Sequence, residues 1–242
     1  MNTEIIKLKE VIQSSDNIVF FGGAGVSTES GIPDFRSADG LYSESYKYPP
    51  ETILSYSFFM ENTEEFYRFY REKMLYPDAK PNNAHKALAE LEKQGKLKAV
   101  ITQNVDGLHT EAGSVNVLEL HGSALRNICM SCKECYPLSK ILETKKIPLC
   151  SCGGIIKPDV VLYEEGLNPV VTSKATNAIY NADVLIVGGT SLNVYPAAGM
   201  INYFQGSSLV LINKSETSFD RYADLIIRES IGLTLGEAIL PS

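Results

Sequence analysis

Short β-rich runs recur along the chain at residues 18–21, 98–102, 117–120, 184–187, 209–212 and 225–227, each followed by polar or helical sequence. Runs of this kind alternating with helical stretches predict a parallel sheet in an α/β layer fold. Two segments interrupt the alternation. In the first, 37–94, Phe58, Phe59, Phe66, Phe69 and Tyr70 recur at helical spacing over a length too great for a plain crossover. The second, 126–157, holds every cysteine and two lysine-rich turns, and reads as a small inserted module. No repeat or low-complexity tract divides the chain, and proline and glycine mark turns rather than linkers.

A chain of 242 residues buries one large core, or a large and a small one, without needing disulfides. The opening MNTEIIKLKE has no apolar leader, and no stretch is apolar enough to span a bilayer, so a soluble cytoplasmic protein is expected. The net charge of −7 argues against a phosphate-backbone binder, whose affinity comes from clustered Lys and Arg, and leaves room for a basic peptide. No nucleic acid or membrane partner is expected.

The segment FFGGAGVSTESGIPDFR, residues 20–36, sets its glycines where a strand hands over to a helix. A pyrophosphate docks at such a turn, because glycine lets the backbone approach the ligand and a helix N-terminus offers unpaired N–H groups. The GxGxxG fingerprint is met at Gly23 and Gly25, but Thr28 occupies the third glycine position and no acidic residue follows the second strand at the usual distance. A plain tight turn would explain the glycines equally well. It would not explain Asp34, Phe35 and Arg36 directly after them, a trio that packing alone does not require.

Open α/β sheets bind ligands at the carboxyl ends of their strands, and polar residues gather there. QNVDGLH follows the second strand and offers Gln103, Asn104, Asp106 and His109; alternatively, Asn104 or Asp106 caps a helix. His121 follows the third strand, where a neutral imidazole can accept a proton near physiological pH. Gly188, Gly189, Thr190 and Ser191 follow the fourth and Asn213 the fifth, although these residue types also favour turns for conformational reasons. His85 lies on an amphipathic helical pattern and reads as a packing residue.

Five cysteines between positions 129 and 152 are too local to staple the whole fold. Cys129 and Cys132 form CxxC and Cys150 and Cys152 form CxC, two close pairs that can close a tetrahedral thiolate cage around Zn²⁺. Such a cage has no open coordination position, so its metal is structural. Cys135 makes a second CxxC with Cys132, and is either a spare thiol or a replacement ligand.

In this order, GAGVSTESGIPDFR, TQNVDGLH, ELHG, the paired cysteines, KPDVV and GTSLNVYPA resemble the sirtuin family over nearly the whole chain. The resemblance implies a Rossmann-type parallel-sheet domain formed by 1–36, 81–125 and 158–242, with a smaller domain built from a helical insertion, 37–80, and a zinc-binding module, 126–157. It implies that NAD, as a co-substrate, and an acyl-lysine peptide meet in the cleft between them. By the same likeness, Ala24, Gly25 and Thr28 hold the pyrophosphate, and Asp34, Phe35 and Arg36 cover the nicotinamide ribose. Gln103 and Asn104 contact that ribose, with Asn104 catalytic; Val105 and Asp106 line the nicotinamide pocket. Gly188, Thr190, Ser191, Asn213 and Ile231 take the adenosine side, and His121 is the general base.

The implied reaction is deacylation of lysine at the expense of NAD. The acyl oxygen attacks C1′ of the nicotinamide ribose and displaces nicotinamide, leaving an alkylimidate. His121 then draws a proton through the ribose hydroxyls, the 2′-oxygen attacks the acyl carbon, and addition of one water releases free lysine and acyl-ADP-ribose. The substrate backbone would lie extended between Val160, Val161, Leu162 and Tyr163 on one side and Leu192, Asn193, Val194 and Tyr195 on the other, adding a strand to the enzyme.

Three positions bear on how this chain differs from its likeness. The family usually reads FGE where Tyr163, Glu164 and Glu165 stand here, so a glutamate replaces a glycine and would narrow the groove or favour basic peptides. Val105 replaces a commoner isoleucine. Members that remove succinyl groups carry a tyrosine followed three residues later by arginine, whereas Tyr67 is followed at that spacing by Tyr70. A dicarboxylate acyl group would be buried unpaired, at a cost, so acetyl and other neutral acyl groups are expected. An NAD-dependent mono-ADP-ribosyltransferase and a catalytically idle NAD sensor or zinc-stabilised binding module are the alternative functions.

Overall fold

A computed structural model of the chain describes residues 3–35, 37, 40–41 and 46–241. The strands in chain order are β1 (Ile18–Gly22), β2 (Leu97–Thr102), β3 (Val117–Glu119), β4 (Gly122–Cys129), β5 (Cys135–Pro137), β6 (Ile156–Val160), β7 (Val184–Gly188), β8 (Ser208–Ile212) and β9 (Leu225–Ile227). The helices are α1 (Thr3–Gln13), α2 (Pro50–Ile53), α3 (Tyr56–Glu61), α4 (Thr63–Lys73), α5 (Asn83–Lys93), α6 (Leu108–Glu111), α7 (Leu138–Glu143), α8 (Pro169–Asn181) and α9 (Ile231–Ile239).

Six strands pair in parallel in the order β3-β2-β1-β7-β8-β9, and these are the six runs expected from the sequence. The order runs outward in both directions from the β1–β7 pair, as in doubly wound dinucleotide-binding folds. Alternation within β1 shows why its run is unbroken. Ile18 and Phe20 pack with Leu8, Leu88 and Leu235 on one face of the sheet, and Val19 and Phe21 with Ala175, Ile179 and Met200 on the other. With helices on both faces no position needs a polar side chain.

A second sheet, β5-β4-β6, is antiparallel and grows directly out of the first, because β4 begins three residues after β3 ends. Its core is shared with the helical segment: Phe59, Phe66 and Tyr67 cluster with Cys129, Ile141 and Ile156. Tyr67 donates its hydroxyl to the Ile156 carbonyl, and Arg71 lies over the Tyr67 ring while donating to the Ile141 carbonyl at 2.9 Å. Arg126 on β4 bonds Glu119 of β3 at 2.8 Å and Asp159 of β6 at 2.9 Å, bracing the junction of the two sheets. The boundaries expected at 125/126 and 157/158 fall inside β4 and β6. Among the described residues no helix is long and apolar enough to cross a membrane.

Under β1 two histidines meet in the core. His85 is fully buried on α5, where its Nδ1 accepts from the Asn82 N–H and completes the helix cap. His109 on α6 packs edge-on to it with ring centroids 4.7 Å apart, and both His109 ring nitrogens and His85 Nε2 have no hydrogen-bond partner among the described residues. Burial lowers His85 to about 4 despite Asp106 and Glu111, which raise it; burial, helped by His85, lowers His109 to about 3. Both rings are neutral in the folded protein at pH 7, but in the unfolded chain they take up protons near 6.5. The unfolded state therefore binds more protons as pH falls below 6.5, and each ring should withdraw about 1.4 kcal/mol of stability per pH unit until its folded value is reached. Urea unfolding between pH 6 and about 4.5 should show this slope. His109→Leu should remove one ring's share, and an unchanged slope in that variant would contradict the assignment.

Candidate active site

The turns after β1 and β7 touch where the strand order reverses. Gly25 N–H donates to the Gly189 carbonyl at 2.8 Å and Gly23 N–H to the Gly188 carbonyl at 3.3 Å. A Cβ on Gly25 would stand 2.8 Å from Gly189 Cα, and one on Gly23 2.8 Å from Thr190 Cβ. The contact that demands these glycines is thus between two protein turns, not only between a turn and a ligand. The helix expected after them is replaced by two short 3-10 turns, Ala24–Val26 and Thr28–Ser30. Gly31, at φ 83°, ends the second, and Pro33 cannot continue a helix ladder. Ala24 and Thr28 each open a turn, where an N–H has no intrahelical acceptor.

This junction floors a cleft of about 1490 Å³ that extends across to the smaller sheet. Ala24, Gly25, Thr28, Asp34, Phe35, Gln103, Asn104, Val105, Asp106, His121, Thr190, Ser191, Asn213 and Ile231 all border it. So do Val160, Val161, Leu162, Tyr163, Asn193, Val194 and Tyr195 from the two segments expected to hold a peptide. Three expected residues are placed elsewhere. Gly188 ends β7 inside the sheet, and the Leu192 side chain, from a backbone at φ 56°, packs into the core with Ala197 and Met200. His109 is a core residue, because the turn of α6 points it at His85 and Phe20. Arg36 lies outside the described residues.

Polar side chains on the cleft floor hold one another in place. Ser27, which sequence reasoning passed over, is 1% exposed and donates to Asp106 Oδ2 at 2.6 Å while accepting from Asn104 Nδ2 at 3.1 Å. The only sign of it was a small hydroxyl residue inside the glycine turn. Asp106 also accepts from the Leu108 N–H at 2.9 Å, while the N-cap of α6 is Gly107 and neither Asn104 nor Asp106. Gln103 donates to Thr190 Oγ1 at 3.1 Å, and Asn213 exchanges two bonds with the Thr190 backbone, 3.1 Å from its N–H and 2.6 Å to its carbonyl. The run 214–218, beyond Asn213, borders the cleft as well.

His121 occupies the short link between β3 and β4. Its Nδ1 is 2.9 Å from the Gln103 carbonyl, and a carbonyl only accepts, so Nδ1 carries the proton and Nε2 keeps its lone pair. Burial lowers its affinity for a proton by more than the Gln103 carbonyl raises it. The ring is a neutral base at pH 7, and it borders the same cleft as the glycine turn.

At the far end of the smaller sheet the sulfurs of Cys129, Cys132, Cys150 and Cys152 all lie within 4.8 Å of one another, with 3.5 Å between Cys129 and Cys152 and between Cys132 and Cys150. Four thiolates about 2.3 Å from one Zn²⁺ would stand about 3.8 Å apart, so the donor set fits zinc. Cys135 is exposed outside this group, its sulfur near the Lys133 carbonyl.

Comparison with known proteins agrees with this geometry. The model of the Sir2 family matches residues 23–196. An NAD-dependent protein deacetylase of Clostridium perfringens is 61% identical over 99% of this chain and 100% of its own length. Two solved structures that superpose closely are a Sir2–p53 peptide–NAD⁺ complex, with TM-score 0.86 and 38% identity over 98% of this chain and 97% of that one, and a Sir2 variant with deacetylated p53 peptide and 3′-O-acetyl-ADP-ribose, with TM-score 0.88 and 38% identity over 96% and 95%. The doubly wound sheet, the four-cysteine cluster and these matches leave one assignment: the chain belongs to the Sir2 family.

Proposed function

We infer that the protein is an NAD-dependent protein-lysine deacetylase that converts acyl-lysine, NAD and water to lysine, acyl-ADP-ribose and nicotinamide. The observation that carries this reading is the neutral His121, its Nε2 free to accept a proton in the cleft that also holds the glycine turn. Bound NAD supplies an electrophilic ribose carbon from which nicotinamide departs, so that the acyl group ends on ADP-ribose. His121 takes the ribose hydroxyl proton at Nε2, and the Gln103 carbonyl keeps the ring oriented through Nδ1. Asn104 and Asp106, fixed by Ser27, hold the ribose and nicotinamide side, Val105 adds an apolar wall, and Asp34, Phe35 and Arg36 cover it. Ala24, Gly25 and Thr28 take the pyrophosphate, and Thr190, Ser191, Asn213 and Ile231 the adenosine. The larger sheet is in this reading the nucleotide domain, and the helical segment with the cysteine module the smaller one. Zn²⁺ on the four cysteines supplies a cross-link and no chemistry.

The substrates are acyl-lysine-bearing proteins, and a cytoplasmic setting, where the cage thiols stay reduced, suits the zinc site. Neutral acyl groups are preferred. Support comes from the side chains where a carboxylate would need a cation: Tyr70 is fully buried and its hydroxyl has no partner among the described residues, while Arg71 is committed to the Ile141 carbonyl. Lys73, which also borders the cleft, sits over the Tyr46 ring.

Mass spectrometry of an acetylated peptide incubated with NAD tests the reading. Loss of the acetyl group with formation of acetyl-ADP-ribose is expected, and a succinylated peptide should react far more slowly. A peptide that gains ADP-ribose would instead establish the transferase alternative. His121→Ala should lower turnover by about 10²–10⁴ while ADP-ribose binding stays close to wild type; equal turnover would identify an idle binding module or a different base. For the wild type, the acid-side decline in turnover should have its midpoint below 6.5, because burial makes the folded His121 protonate below its ordinary value. Removal of zinc by a chelator, or Cys150→Ser, should unfold the smaller sheet and expose its aromatic core, a change readable in tyrosine fluorescence. Retention of a native spectrum after complete metal loss would exclude a structural zinc.

A further inference from the structure

Glu164 is one of three non-glycine residues described at positive φ, at 77°, a conformation that disfavours any residue with a Cβ. Its neighbours are tied down on every side. Tyr163 N–H donates to the Leu54 carbonyl and the Tyr163 carbonyl accepts from Tyr56 N–H, each at 3.0 Å. Leu162 N–H donates to Glu165 Oε2 at 2.8 Å, and that carboxylate also pairs with Lys157 at 2.9 Å. The Glu164 side chain completes the set: Oε2 accepts from the Ser57 N–H and Oε1 from the Ser57 hydroxyl, both at 2.9 Å. The carboxylate is therefore engaged on α3. What Glu164 leaves open is its own backbone: its N–H and C=O make no hydrogen bond among the described residues, and the residue borders the cleft.

We propose that Glu164 is a positioning residue for the substrate peptide: its side chain, clasped to Ser57, holds its own unpaired backbone N–H and C=O in the left-handed geometry that receives the substrate main chain. Because the backbone before it is already tied at Val161 to His121, at Leu162 to Glu165 and at Tyr163 to Leu54 and Tyr56, the substrate main chain takes its hydrogen bonds from a segment already rigid, and loses less entropy on docking. A glycine at this position would satisfy the backbone conformation more easily but would leave it free to leave that conformation. The clasp thus trades local strain for order, and its removal should move stability and peptide affinity in opposite directions. The proposal rests on the reading of the cleft as a protein-deacylase groove.

Calorimetric titration with an acetyl-lysine peptide and, separately, with ADP-ribose tests it. Glu164→Gly should weaken peptide binding roughly three- to tenfold, leave ADP-ribose binding unchanged and keep the thermal midpoint at or above that of wild type. Glu164→Gln should restore peptide binding, because an amide oxygen accepts from the Ser57 N–H and the amide NH₂ donates to the hydroxyl. Ser57→Ala, which removes one of the two bonds, should fall between. Wild-type peptide affinity in Glu164→Gly, an equal loss for ADP-ribose, or a Glu164→Gln variant as weak as Glu164→Gly would each overturn the proposal, as would a wild type that does not bind the peptide. A wild type that binds the acetylated peptide through this clasp yet leaves the acetyl group in place would refute the deacetylase reading and not the clasp.

Discussion

The fit of two bare turns against each other governs this molecule. Gly25 and Gly189 approach until a single Cβ would collide, and that closeness brings the carboxyl ends of β1 and β7 into one floor. Everything else at the cleft is arranged around it. Thr190 leaves the second turn to meet Gln103 and Asn213, and Ser27 leaves the first to bind Asn104 and Asp106, so four strand ends are cross-tied through side chains less than a turn away from the glycines. A site assembled in this way needs no long helix behind the glycines; two 3-10 turns suffice.

Local patterns revealed the frame of the protein well. The central strands were legible because a strand covered on both faces is written as an uninterrupted apolar run, as β1 and β7 are. The four cage cysteines were legible from spacing, and His121 from its place directly after a strand. Contacts between distant residues were not legible. Ser27 acts on Asp106, and Ser57 on Glu164, across stretches of sequence that contain no sign of the pairing. His109 and His121 both follow strand ends in polar company, yet one is driven into the core by the turn of α6 and the other faces the cleft, a distinction only the path of the backbone makes.

Glycine carried two different meanings that sequence does not separate. At Gly23 and Gly25 the requirement is space for another part of the protein, so alanine would displace the β7 turn before any ligand arrived. At position 164 the requirement is a backbone angle, and here it is met by a glutamate that secures itself with two hydrogen bonds. Read from composition alone, the second substitution looks like a change in the charge of a binding surface. In the structure the added carboxylate is bound to Ser57.

The placement of His121 has a mechanical side. Residue 120 still bonds to β2, and residue 122 already pairs with β6, so the imidazole proposed as the base sits on the short link by which the larger sheet enters the smaller, with Arg126 braced across it. In the proposed reading, a rotation of the cysteine-bearing module about that link would turn His121 as well. The lever arm is long: β4 runs from Gly122, beside His121, to Cys129 among the four sulfurs, so the module is placed as a tiller for that histidine.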